Sequence, residues 1–108
     1  MRRALLIASV ASLAACGPSP VPRATPELVG VARADAPEVT VEDLDRGRAI
    51  YVTRCNTCHS LPRPVDYDAP TWRKWMHSMA PKAKLDEVQA ADALRYVLAV
   101  RRAQAAAP

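Results

Sequence analysis

Phenylalanine is absent from this 108-residue chain, histidine occurs twice and cysteine three times. The aromatic residues, Tyr51, Tyr67, Trp72, Trp75 and Tyr96, all fall between residues 51 and 96, so any aromatic core is confined to that stretch. After the pair Cys55 and Cys58 only His59 and His77 remain as further soft ligands, and the second ligand pair of a zinc ribbon or finger is missing. No acid–base or nucleophilic constellation stands beside that pair, which leaves an enzyme no residues to rest on. The net charge of +4 includes Arg2 and Arg3 at the extreme N-terminus, and nothing in its distribution points to nucleic acid.

What is present is Cys55-Asn56-Thr57-Cys58-His59. Two thiols three residues apart, followed at once by an imidazole, are what covalent attachment of a c-type haem requires. Each thiol can form a thioether with one porphyrin vinyl group, and the next residue presents a neutral imidazole nitrogen to the iron. Cys55 and Cys58 are therefore the expected attachment points of one haem c, and His59 an axial ligand. A thioredoxin-like dithiol shares the Cys-x-x-Cys spacing but calls for a preceding strand and a βαβ context, neither visible here.

The N-terminus reads as an export signal. Met1-Arg2-Arg3 is a positive start, and the apolar run from Ala4 to Ala11 is too short to span a bilayer stably. It ends in Leu13-Ala14-Ala15-Cys16-Gly17, which resembles the lipobox of bacterial lipoprotein signal peptides. That resemblance implies that residues 1–15 are removed and that Cys16 carries the lipid; the alternative is an ordinary secretory signal with Cys16 left as a thiol. Export places the chain where c-type haem is attached in bacteria, so two unrelated motifs agree. Gly17 lacks the aspartate associated with inner-membrane retention, which favours the outer membrane.

From Gly17 to Pro37 the chain carries five prolines and shows no helical period. Residues 16–39 are accordingly expected to be a semi-extended linker, reaching roughly 60 Å at about 3.1 Å per residue. Residues 40–103 form the expected domain and residues 104–108 a disordered tail. A domain of that size buries only about 60% of its unfolded surface, so a large apolar cofactor would supply much of its core. Thr40 with Asp43 starts a helix through Leu44, Gly47 and Tyr51, and Gly47 suggests a close helix approach. Asp68-Ala69-Pro70-Thr71 opens a second helix, placing Trp72, Trp75, Met76 and Met79 on one stripe before Pro81. Asp86 and Gln89 form a capping box for a third, with Val88, Ala91, Leu94, Val97 and Leu98 at helical spacing up to Arg101 and Arg102.

Gly47-x-x-x-Tyr51-x-x-x-Cys55-x-x-Cys58-His59, then Leu61-Pro62, and a last helix with Leu85, Glu87, Tyr96 and Val97 resemble the class I cytochrome c family, in its small bacterial monohaem form. The likeness covers roughly residues 41 to 102. It implies an all-α fold with crossed N- and C-terminal helices around one covalent haem, His59 as proximal ligand with Pro62 near it, and a methionine as distal ligand. Met79 sits at a helix end just before Ala80-Pro81, and Trp72 with Met79 resembles a Trp-to-Met spacing of such cytochromes. Met76 is the second candidate, with His77 or no ligand behind it. The interval from His59 to Met79 is shorter than in longer members of the family.

A distal thioether closes iron to small molecules and leaves electron transfer as its chemistry. The expectation is a periplasmic, membrane-tethered carrier passing single electrons between redox proteins, and not an enzyme. Two other readings stay open: a haem-based sensor or ligand-binding lipoprotein with a labile sixth position, and a haem subunit of a larger dehydrogenase or oxidase. Arg73, Lys74, Lys82 and Lys84 form either a rim that steers an acidic partner or a solvated helix face.

Overall fold

Thr40 and Asp86 each open a helix through a reciprocal capping box, and these two helices are the frame of the molecule. The Asp43 N–H donates to Thr40 Oγ1 at 3.2 Å while the Thr40 N–H donates to Asp43 Oδ2 at 2.8 Å. Asp86 and Gln89 exchange the same bonds at 2.8 and 3.0 Å. The computed structural model describes residues 20–57 and 60–107. Within them are helices α1 (Pro26–Ala32), α2 (Val41–Thr53), α3 (Ala69–Met79) and α4 (Glu87–Ala106), with 3₁₀ turns at Cys55–Thr57 and Pro64–Asp66. The described residues are thus all-helical, without a strand, and none of their helices is long and apolar enough to cross a membrane.

α4 is the central element, packing against α1, α2, α3 and the Pro64–Asp66 turn. Its buried residues are Asp92, Ala93, Tyr96, Val97, Ala99 and Val100. That stripe lies about half a turn from the one the sequence pattern suggests, the two sharing only Val97, and Val88 is 69% exposed while Leu94 and Leu98 are only partly buried. Apolar residues occur almost all round α4, so periodicity alone does not single out the face that meets α2. α2 contributes Leu44, Gly47 and Tyr51, at spacings of three and four that place them on one face. Gly47 lies directly against the α4 backbone, where a Cβ would stand 2.1 Å from the Asp92 carbonyl oxygen and 2.8 Å from Tyr96 Cβ. Asp92 itself is buried and charged, and it is satisfied from both sides by Arg46 Nε at 3.2 Å and an Arg95 guanidinium nitrogen at 2.9 Å.

The structure departs from the sequence reading at both ends of the expected domain. Residues 16–39 are not a semi-extended linker throughout: Pro26–Ala32 is a helix whose Leu28, Val29 and Ala32 are buried, and it packs on α4. Thr25 Oγ1 accepts the Leu28 N–H at 3.2 Å, and Pro26 occupies the first turn, where its missing N–H costs nothing. Two turns are too short for a hydrophobic period to emerge among prolines. At the other end α4 runs on through Ala106, past the expected boundary at residue 103. The expected signal (1–15) and Cys16, the expected lipid attachment point, lie outside the described residues.

Candidate functional site

α3 carries the side chains on which the site turns. Asp68 Oδ1 accepts the Thr71 N–H at 2.8 Å, fixing the helix start and with it the stripe Trp72, Trp75, Met76 and Met79. These four line a cavity of about 400 Å³, closed from the other side by Tyr51 of α2, Cys55 and Pro62. Tyr51 reaches it from the last turns of α2, and Cys55 from the 3₁₀ turn that follows that helix.

The walls are apolar, and two of their polar side-chain atoms are engaged with the backbone. Trp72 Nε1–H donates to the Pro64 carbonyl at 2.8 Å, and the Tyr51 hydroxyl donates to the Pro62 carbonyl. Burial is the main reason the Tyr51 hydroxyl is held well above its ordinary pKa, so it remains a donor. The rings support one another edge to face: Tyr51 and Trp72 centroids are 6.1 Å apart, Trp72 and Trp75 5.7 Å, and Trp75 and Tyr67 4.4 Å. A cavity of this size, apolar with a few reactive groups at its edge, belongs to the class that takes cofactors.

Of the residues singled out from the sequence, the structure brings Cys55, Met76 and Met79 to this one cavity. Met76 is 4% exposed and Met79 half-buried. Burial pushes the Cys55 thiol up in pKa, against the opposing charge of Arg54. His77 is exposed and lines a separate groove with Arg73, Ala80 and Leu85. Cys58 and His59 lie outside the described residues.

The sequence reading did not anticipate how the segment after Met79 is held. The Leu85 N–H donates to the Ala80 carbonyl at 2.9 Å and the Lys84 N–H to the Pro81 carbonyl at 3.1 Å, with Lys84 at φ 57. This is the hydrogen-bond pattern of a Schellman turn, with a lysine where glycine is usual. Arg54, next to Cys55, reaches across to donate to the Ala83 carbonyl at 2.7 Å and the Lys84 carbonyl at 3.2 Å. The residue adjoining the first cysteine is thereby tied to the loop that follows the second methionine. Its only sequence signal is an arginine beside the motif, indistinguishable there from a solvated one.

The exposed Arg73, Lys74, Lys82 and Lys84 belong to α3 and the loop after it. Compared with known proteins, the chain matches no family model, no curated sequence and no solved structure.

Proposed function

We propose that the chain is a small monohaem c-type cytochrome of the class I kind, anchored through a lipid on Cys16 at the periplasmic side of a bacterial membrane, that carries single electrons between redox proteins. The observation that carries this reading is the apolar cavity in which Cys55 of the Cys-x-x-Cys-His motif meets two methionine thioethers. Cys55 and Pro62, both in its wall, bracket Cys58 and His59 in the chain.

The residues present fit a haem. Cys55 and Cys58 would hold it through thioethers, and His59 and Met79 would be the axial ligands. Bound there, haem c supplies a one-electron ferric–ferrous couple. Trp72, Trp75 and Tyr51 exclude water from the site and lower its local dielectric, while Tyr51 and Trp72 hold the Pro62–Pro64 backbone against it. Met79 is favoured over Met76 because it sits half-buried at the last residue of α3, whereas Met76 is enclosed in the helix middle. The same arrangement supports crossed terminal helices of the cytochrome kind, with α2 and α4 in those roles.

Expression of the full chain with haem-maturation machinery, followed by reduced spectra with and without carbon monoxide, tests the reading. A covalent haem whose ferrous spectrum ignores carbon monoxide is the expected result. Absence of covalent haem would return the dithiol readings, and a carbon monoxide complex of the wild type would move a ligand-binding or sensing role ahead of electron transfer.

A further inference from the structure

The residues between the lipid cysteine and α1 bear on how the domain meets the membrane. The Tyr96 hydroxyl, on the central helix α4, donates to the Pro22 carbonyl at 2.7 Å. Arg48 Nε, on α2, donates to the Val21 carbonyl at 3.1 Å. Val21 and Ala24 pack against the hydrophobic core, and Thr25 caps α1. Beyond α1, an Arg102 guanidinium nitrogen lies 2.8 and 2.9 Å from the two Asp35 carboxylate oxygens. Two hydrogen bonds, core packing and an ion pair between residues 21 and 35 thus fasten this segment to the rest of the fold, while the Thr25 cap shapes it from within.

We propose that residues 20–25 form a strap belonging to the folded body, so that the lipid on Cys16 reaches the domain through residues 17–19 alone and holds it against the headgroup layer of the bilayer. This rests on the lipid-anchor part of the proposed function. Four residue steps from Cys16 to Pro20 span at most about 14 Å, against the roughly 60 Å of a free linker. A lipid surface is then a standing neighbour of the domain, and a redox partner has to be met at the membrane.

Arg23 is the first basic residue after Cys16 and Arg33 the next, so trypsin cleavage after Arg23 both reports whether the strap is docked and frees the domain from its lipid. The experiment uses the full chain in isolated membranes, with mass spectrometry of the released fragment beginning at Ala24. Wild type is expected to be released roughly tenfold or more slowly than the double variant Arg48→Ala/Tyr96→Phe, which loses both strap hydrogen bonds and keeps the buried ring. Equal release rates would overturn the strap. Should the double variant lose its helical circular dichroism, Arg48→Ala alone serves, because Arg48 is only partly buried. Wild type found in the soluble fraction before protease would overturn the lipid anchor, and the cleavage rate at Arg23 of that soluble protein would still decide whether the strap exists.

Discussion

Gly47 and the Asp92 carbonyl stand so close that a Cβ on residue 47 would lie 2.1 Å from that oxygen. The obstacle is helix backbone, which cannot rotate away as a side chain can. Gly47→Ala gains about 1 kcal/mol of helix propensity but must push α2 off α4, at a cost typical of overpacking or above it. The net expectation is a loss of about 2 kcal/mol or more, read as a drop of roughly ten degrees in melting temperature. An alanine variant as stable as wild type would mean that the two helices are further apart than described.

The two methionines of the cavity are expected to fail differently. Met79→Ala should leave a covalent haem whose ferrous form binds carbon monoxide. Met76→Ala, at a residue 4% exposed, should remain closed to carbon monoxide yet lose about 2–5 kcal/mol of stability. The reverse pattern in the reduced spectra would exchange the roles of the two residues.

Two helix caps predict a dependence on acid. The Asp43 carboxyl is held below its ordinary 3.8 chiefly by the Thr40 N–H, with the Thr40 hydroxyl and Arg46 assisting. Asp68 is held low by the Thr71 hydroxyl and N–H. A carboxyl whose folded value is depressed contributes stability that is fully present above its unfolded value and is lost as pH falls through the folded one. Melting temperature should therefore hold steady from neutrality down to about pH 5 with respect to these groups and decline below about pH 4. Asp43→Ala/Asp68→Ala should melt several degrees lower at pH 6 and lose less on acidification. Parallel curves for the two proteins would show that other groups control the acid limb.

Lys84 at φ 57 occupies backbone space that costs a side-chain-bearing residue roughly 1 kcal/mol. Lys84→Gly is expected to stabilise by up to about 1 kcal/mol, reduced by the greater freedom glycine has when unfolded. Lys84→Val, stiff at its β-carbon, should destabilise instead. Urea unfolding of the three proteins gives the order directly, and a valine variant matching glycine would remove the left-handed turn from the account.

Three of the four helix starts were legible because their caps are local: Thr40, Asp68 and Asp86 each act on a residue three positions on. The stripe of α3 was legible for the same reason, and so was Gly47 as a place of close approach. α1 was not, because its burial depends on α4, more than fifty positions away, and its own signal is one capping threonine among prolines. The buried face of α4 was displaced because alanine, valine and leucine surround that helix, and the deciding residue, Tyr96, bonds to a carbonyl 74 positions earlier. Burial pushes that hydroxyl up to about 12, so the bond persists through any ordinary pH. Within the site, the shared stripe of Met76 and Met79 followed from helix spacing, whereas their meeting with Cys55 and the Arg54 latch on Ala83 and Lys84 join segments that only the tertiary fold brings together.

The distance along the chain between residues 21–35 and their partners sets an order of events. Tyr96 binds Pro22 across 74 positions and Arg102 binds Asp35 across 67. Closing loops of that length is slow compared with forming a helix turn, and it cannot begin before α4 exists. During synthesis residues 20–39 therefore emerge well before their docking surface on α4, open to whatever enzymes act on that stretch of chain. The last contacts of the fold are those that put this window to an end.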